Sequence, residues 1–193
     1  MEDMREIHKK ELERLKTRFE ENAEQYHSLQ YNEMNTRNDF IDELFKVLGW
    51  DINNSEGFAE QYREVVREDK VKINGVQKAP DYSFRIGGTK KFFVEAKKPS
   101  VNVKVASEPA FQVRRYGYSA KLPISILTNF EEFAVYDTRI KPSKTDDASV
   151  ARIFYCTYQD YLKEADFLYN TFSKSAILKG RLDRYVEENK NKR

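Results

Sequence analysis

The stretch of residues 79–98, APDYSFRIGGTKKFFVEAKK, limits the fold of this chain more than any other stretch does. Apolar side chains alternate with other residues on both sides of a central glycine pair: Tyr82, Phe84 and Ile86 precede it, and Phe92, Val94 and Ala96 follow it. Alternation with a period of two, interrupted by glycines, predicts a β-hairpin. We therefore expect a protein that contains a sheet, with this hairpin at its centre.

The register of the hairpin depends on the length of its loop. With a loop of three residues, Ile86 pairs with Lys90. Asp81 then lies directly opposite Glu95, whereas a two-residue turn would shift the pairing by one residue. We favour the register of the three-residue loop, in which the side chains of Asp81, Glu95 and Lys97 project from one face of the hairpin.

Two carboxylates and one ammonium group on one face have a chemical use. Paired acidic oxygens suit a hard divalent cation such as Mg2+, which lowers the pKa of a bound water and stabilises charge on a phosphate. A nearby lysine orients or helps to deprotonate that water. The alternative is an exposed hairpin face with one cross-strand ion pair, which is common and contributes little to stability. The spacing alone leaves both interpretations open.

Length and composition predict one soluble domain with an appended arm or linker. The 193 residues are 34% charged and 39% hydrophobic, enough for a core with a heavily solvated exterior. The net charge of +2 gives no global basic field, so DNA binding has to rely on local clusters of Lys and Arg. The single cysteine, Cys156, excludes an intramolecular disulfide and fits a reducing cytoplasm. Without a signal peptide or a run of about 18 apolar residues, we expect a cytoplasmic protein that does not span a membrane.

Helical periodicity precedes the hairpin. Residues 2–30 predict a helix dense in charge, whose thin apolar stripe packs on the outside of the domain. A second helix is expected from about Asn35 to Leu48, with Gly49 as its C-terminal stop. The segment from Phe58 to Ile73 fits a short helix or the start of a strand, and a turn is expected at Asn74-Gly75.

Further strands and helices follow the hairpin. Ser107 is expected to cap a helix whose first turn carries Glu108 and Pro109. The remaining pattern predicts strands at residues 122–127, 133–137 and 153–158, and helices at residues 161–169 and within 173–193. Together these patterns predict an α/β domain with a central mixed sheet flanked by helices.

Three motifs, in the same order, give the chain a resemblance to a known family of nucleases. Pro80-Asp81, followed after thirteen residues by Glu95-Ala96-Lys97, resembles the PD-(D/E)xK motif of the restriction-endonuclease-like nucleases. Residues 112–116, QVRRY, match the QxxxY motif of the branch that includes type I restriction subunits and RecB-like nucleases. Residues 32–37, NEMNTR, and 48–51, LGWD, look like the first helix of that branch. The resemblance covers residues 33–137.

The resemblance implies a role for each residue of the first two motifs. Asp81 and Glu95 would hold Mg2+, for which Mn2+ can substitute, and the Ala96 carbonyl would be an additional ligand. Lys97 would position the attacking water and contact the scissile phosphate. Glu33 on the first helix would assist at the metal; the residues by themselves suggest instead that Glu33 complements a helix N-terminus.

The QxxxY motif implies a second set of site residues. Gln112 and Tyr116 lie four residues apart, so they share one helix face and would arrange the catalytic site. Without the resemblance, Tyr116 would be interpreted as packing against the sheet. Arg114 and Arg115 would contact phosphates of the DNA.

The resemblance also implies an architecture and partners. A restriction-endonuclease-like core would span residues 32–172, after an N-terminal helical arm of residues 1–31 and before a helical connector that begins at residues 173–193. Residues 179–193, KGRLDRYVEENKNKR, look like the connector of type IIG restriction-modification proteins, in which an adenine methyltransferase follows. Methyltransferase motifs are absent from this chain, so sequence readout would reside in separate methyltransferase and target-recognition domains. Cutting both strands would require two nuclease domains to pair.

The function predicted from these observations is Mg2+-dependent hydrolysis of double-stranded DNA by the cleavage domain of a restriction-modification enzyme. One alternative is a catalytically silent nuclease fold that binds DNA or a partner. Another is a structural subunit whose hairpin charges are ordinary surface residues. The sequence contains no P-loop, no GxSxG elbow and no zinc-ligand cluster, which argues against nucleotide hydrolysis, serine-hydrolase chemistry and zinc chemistry.

Overall fold

The computed structural model describes residues 4–190, and the strands in this part of the chain form one large and one small sheet. They are β1 (Val65–Arg67), β2 (Val71–Ile73), β3 (Val76–Lys78), β4 (Tyr82–Ile86), β5 (Thr89–Ala96), β6 (Ile124–Thr128), β7 (Glu132–Asp137) and β8 (Arg152–Thr157). The large sheet has the order β1-β4-β5-β6-β7-β8, and β2 pairs with β3 separately. The β5–β6 pair is parallel and the other pairs are antiparallel. The predicted mixed sheet is therefore confirmed, and β6, β7 and β8 lie within two residues of their predicted bounds.

Helices pack on both faces of the large sheet. They are α1 (Glu6–Glu21), α2 (Ala23–Tyr26), α3 (Glu33–Thr36), α4 (Asp42–Val47), α5 (Ser107–Ser119), α6 (Ala165–Phe172), α7 (Lys174–Leu178) and α8 (Arg181–Glu188). The prediction of one helix over residues 2–30 is wrong in its length. Asn22 interrupts the helix with a φ of −127°, outside the helical range, and residues 2 and 3 lie outside the described part.

One helical segment, made of α3, a π-helical turn at Arg37–Ile41 and α4, carries the first candidate site residue. It begins at Glu33, two residues before the predicted start at Asn35. The early start has a local cause, since the Asn32 side chain accepts a 2.8 Å hydrogen bond from the Asn35 backbone N–H. The predicted stop at Gly49 is confirmed, with a φ of +88° that suits glycine after a helix end.

The loop of the β4–β5 hairpin is shorter than predicted. Ile86 pairs with Thr89 across the two-residue turn Gly87-Gly88, so the prediction of a three-residue loop is wrong. The two glycines have φ values of 56° and 84°, and a two-residue turn that matches the strand twist requires such positive angles.

The predicted register at the base of the hairpin nevertheless holds. The pairing shifts by one residue beyond Phe84, and this bulge in β5 supplies the residue that the shorter loop lacks. Tyr82 consequently pairs with Val94. Continued by one residue, the same register places Asp81 opposite Glu95.

Two predicted helix starts are wrong by one to four residues. Ser107 is the first residue of α5 rather than its cap, and Ala106 at the cap position offers no side-chain hydrogen bond. The helix predicted from Tyr161 begins at Ala165, because a 3-10 turn at Tyr158–Asp160 comes first. Propensity patterns locate such ends only to within a few residues.

The segment of ambiguous pattern at residues 58–73 contains both of the expected kinds of structure. A 3-10 turn at Glu60–Tyr62 precedes the short strands β1 and β2. The predicted turn at Asn74-Gly75 is confirmed and joins β2 to β3. The small β2–β3 sheet packs on α5, because Val71 and Ile73 share a buried cluster with Tyr116.

The hydrophobic core has a layer on each face of the hairpin. Phe84, Phe92 and Val94 join a cluster that also contains buried residues of α1, α4, α6 and α8. Phe93 faces the opposite side and packs with Tyr116 of α5. The arm and the connector thus share one core with the central segment, while the predicted boundaries at residues 31 and 172 stay predictions. Within residues 4–190, no helix is long and apolar enough to cross a bilayer.

Candidate active site

The Asp81 carboxylate is held in place from two sides. Its Oδ2 accepts a 2.7 Å hydrogen bond from the Ala96 backbone N–H, which ties the residue before β4 to the end of β5. Its Oδ1 accepts from Arg37 at 3.3 Å. The side chain is 14% exposed, so the carboxylate lies at the edge of the interior, within reach of solvent.

Glu95 lies beside Asp81 and is the more deeply buried of the two. The residue is 4% exposed, and its Oε2 atom has no hydrogen-bond partner among the described residues. Burial, and then the negative charge and hydrogen bond of Asp81, raise the pKa of Glu95 from 4.5 to about 10. This raised pKa favours the protonated form of the Glu95 carboxyl at neutral pH.

Lys97 and Glu33 form an ion pair next to the two carboxyls. The Lys97 Nζ lies 3.8 Å from a Glu33 carboxylate oxygen, and the two side chains are 22% and 37% exposed. Burial and the charge of Asp81 raise the pKa of Glu33, while Lys97 and Arg37 oppose that shift. Both groups therefore belong to the same electrostatic centre as Asp81.

The donor atoms at this centre fit a divalent cation. The Glu95 Oε2 atom is a buried acceptor without a partner in the described part of the chain, and it lies beside a second carboxyl, a kind of ligand that hard cations prefer. Ala96 is fixed in the same strand end by its N–H bond to Asp81. Within residues 4–190, no three or more His, Cys, Asp or Glu side chains form a ready metal cluster. The role of Glu33 and that of the Ala96 carbonyl as ligands stay predictions.

Gln112 and Tyr116 meet on one face of α5, as their spacing predicts. The Gln112 side-chain amide donates a 2.9 Å hydrogen bond to the Tyr116 hydroxyl oxygen. Tyr116 is 2% exposed and packs with Phe93, which shares its sheet face with Glu95. The pair is therefore placed on the Glu95 side of β5, with Tyr116 both packed and hydrogen-bonded.

Comparisons with known proteins relate this chain to restriction enzymes. The family model of the type I restriction enzyme R protein N terminus matches residues 62–144, which include Asp81, Glu95 and Lys97. A protein of Escherichia coli named type II restriction enzyme and methyltransferase RM.Eco57I is 40% identical to this chain over 186 residues, or 95% of the chain. This chain contains a restriction-nuclease-like domain. It spans only 19% of the length of the Escherichia coli protein, and no solved structure matches it significantly.

Arg114 of the restriction-nuclease-like domain lies inside the protein, whereas the predicted contact with DNA phosphates would need it at the surface. The residue is 1% exposed, and its Nη1 donates a 2.8 Å hydrogen bond to Asp146. The backbone N–H of Ser143 donates to the same carboxylate, and these two bonds hold the pKa of Asp146 below its usual value. Arg114 thus fastens the loop of residues 138–151 to α5, and its placement gives no support to a phosphate contact.

Arg115 lies on the more accessible side of α5. Its guanidinium is 5.3 Å from the centre of the Phe111 ring, a cation–π distance. The partly buried Arg115 has no carboxylate within ion-pair distance among residues 4–190. Its predicted role in DNA binding is thus compatible with where it lies.

Arg37 is a site residue that sequence reasoning missed. It lies four residues after Glu33, so both side chains point from one helix face toward Asp81. The (i, i+4) spacing from Glu33 was the signal that could have found it. The π-helical turn that begins at Arg37 changes the pitch of the helix at this point, and such turns are frequent at functional sites.

Proposed function

We propose that this restriction-nuclease-like domain hydrolyses phosphodiester bonds of double-stranded DNA with Mg2+, as the cleavage part of a restriction-modification enzyme. The observation that carries the proposal is the Glu95 carboxyl, which is buried beside Asp81 with one oxygen unsatisfied. A carboxyl in that state costs stability unless it gains a cation or keeps a proton. Proteins retain such pairs where they bind a metal or move a proton.

The ligands of the cation would be the two carboxylates, with the Ala96 carbonyl as a further oxygen donor. Bound there, Mg2+ or Mn2+ would supply a water of lowered pKa and stabilise charge that develops on the phosphate. Glu95 would have to release its proton to act as a ligand, since only the ionised carboxylate binds a cation well. Asp81 is already oriented for this role by its bond to the Ala96 N–H.

Lys97 would serve both the water and the phosphate. Its ammonium group can donate hydrogen bonds to a phosphate oxygen and orient an attacking water, and Glu33 at 3.8 Å keeps the side chain directed toward the centre. Arg37 would balance the negative charge of Asp81 and Glu33. Gln112 and Tyr116 would limit the position of the DNA strand through their fixed hydrogen bond.

Partners beyond DNA belong to the same proposal. The similar protein of Escherichia coli carries a methyltransferase in its name, and a matching methyltransferase with a target-recognition domain would supply sequence readout to this chain. Cleavage of both strands would use two such domains, each cutting one strand. A restriction activity of this kind would operate in the cytoplasm.

Plasmid cleavage by the purified chain tests the proposal directly. We expect nicking in Mg2+ or Mn2+ that is lost in EDTA, and a loss of at least a hundredfold in Asp81→Ala and in Lys97→Ala, since each removes a group that acts in the transition state. Glu60→Ala is the control, because the Glu60 side chain is 75% exposed and belongs to no part of the centre. Equal nicking by all variants would refute the assigned site. No nicking by the unsubstituted chain, with DNA binding retained, would favour the silent binding module.

A further inference from the structure

A groove of about 480 Å³ lies beside the QxxxY residues on α5. Three cationic side chains line it and come from three separate elements: Lys78 from β3, Arg115 from α5, and Lys144 from the loop of residues 138–151. Gln112, which bonds to Tyr116, lines the same groove. We call this the basic groove; it adjoins the candidate active site without being part of the carboxyl pair.

The cations of the basic groove lack acidic partners. In the described part of the chain, Lys78, Arg115 and Lys144 form no ion pair within 4.0 Å, whereas the buried Arg114 of the same helix is paired with Asp146. One exposed carboxylate, Glu108, lines the groove, so the cations outnumber the anions by two. An excess of cations over counter-charges in one groove favours an anionic ligand with several negative groups.

The backbone segments that carry these cations are fastened to the rest of the domain. The Arg114–Asp146 bond and the Ser143–Asp146 bond fasten the loop that carries Lys144. The β2–β3 sheet that carries Lys78 is packed on α5 through Val71, Ile73 and Tyr116, a cluster in which every member is buried. Cations on segments that are already in place bind a phosphate chain with a smaller loss of conformational entropy than cations on segments that must first become ordered.

We infer that the basic groove binds the sugar–phosphate backbone of the DNA strand on its way to the carboxyl pair. Lys78 is three residues before Asp81, and Gln112 lines the groove while it bonds to Tyr116, so a strand held in the groove would continue toward Asp81 and Lys97. The Phe111 ring beneath Arg115 adds an apolar surface for a sugar or base. This inference rests on the proposed function. It assigns to Arg114 a positioning role for Lys144, whereas the sequence predicted that Arg114 contacts DNA.

A salt series of DNA binding tests the basic groove. The double variant Lys78→Ala/Lys144→Ala is compared with the control Lys10→Ala/Lys163→Ala. Each pair removes two charges from exposed lysines, and the control lysines lie on α1 and before α6, which pack on the opposite sheet face. Fluorescence anisotropy with a labelled DNA duplex in EDTA measures binding without cleavage. Each phosphate contact contributes a slope of about 0.9 to log K against log salt, so the groove variant should lose a slope of about two. Its affinity at low salt should fall roughly tenfold or more relative to the control.

The possible results separate this inference from the proposed function. A groove variant whose salt slope and affinity stay within twofold of the control would overturn the inference, even if the unsubstituted chain cuts plasmid. The lack of measurable DNA binding by the unsubstituted chain would overturn it as well. A chain that cuts no DNA, but whose duplex binding is lost in the groove variant alone, would support the groove and contradict the catalytic proposal.

Discussion

Replacing Glu95 by glutamine should make this protein more stable at neutral pH when no divalent cation is present. The pKa of Glu95 is raised from 4.5 to about 10 by burial and by the negative charge of Asp81. Between these two pH values the folded protein holds a proton that the unfolded chain has released, so the free energy of unfolding falls as pH rises. At pH 7.5, three units above 4.5, the uptake of this proton costs the folded state about 4 kcal/mol. Glutamine has nearly the same shape and no charge, so Glu95→Gln removes much of that cost.

Urea unfolding in EDTA, followed by circular dichroism from pH 6 to 8.5, measures the effect. The advantage of Glu95→Gln over the unsubstituted protein should grow by about 1.4 kcal/mol per pH unit, the value for one proton. Addition of Mg2+ should stabilise the unsubstituted protein more than it stabilises Glu95→Gln, because the variant lacks one of the two proposed carboxylate ligands. Glu60→Gln, at a side chain that is 75% exposed, should match the unsubstituted protein at every pH.

Two results would refute this reasoning. A Glu95→Gln protein less stable than the unsubstituted one at pH 7.5 would mean that the carboxylate is ionised and satisfied in the folded state. A stability difference independent of pH would mean that Glu95 titrates alike in the folded and unfolded chains. In either case the unsatisfied oxygen could no longer serve as the basis for a cation site.

Two further predictions concern the scaffold around α5. Gly117→Ala should lower the free energy of unfolding by about 1–3 kcal/mol, because the new Cβ would meet the Ser125 hydroxyl oxygen at 2.5 Å. This loss is opposite to the usual helix preference for alanine over glycine. A thermal melt measures it with Ser119→Ala as the control, and a raised Tm of Gly117→Ala would contradict it. Asp146→Ala should lower the free energy of unfolding more than Arg114→Met does, since Asp146→Ala leaves the buried Arg114 cation without its ion-pair partner. Equal losses of stability in urea unfolding would show that other groups compensate the charge of Arg114.

The sequence was informative wherever one chain segment carries the whole signal. Alternation of apolar residues predicted β4 and β5, and Gly49 predicted the end of the first core helix. The hairpin loop was predicted with one residue too many, yet Asp81 still lies opposite Glu95. Burial of Phe92 and Val94 on one face and Phe93 on the other explains this result, because a slip of one residue would move each set to the opposite face, away from the side chains it packs with.

Charge and burial at single residues were less predictable. The QxxxY spacing correctly predicted that Gln112 and Tyr116 share a helix face. The same periodicity carries no information on whether Arg114 reaches solvent or is buried against Asp146, thirty-two residues away in sequence. A cation in the interior and a cation at the surface follow the same helical spacing, and only the packing of the loop over α5 distinguishes them.

The sequence by itself thus determined the α/β architecture, the order of the motifs and the residues of the carboxyl pair, because periodicity and spacing act over a few neighbouring positions. The tertiary structure alone decided the raised pKa of Glu95, the bond from Arg37 to Asp81 and the basic groove, whose three cations form no ion pair within residues 4–190. These properties depend on distances between groups far apart in the chain and on how completely water is excluded from them. Electrostatic energies change steeply with both quantities, and neither is fixed until the helices have packed on the sheet.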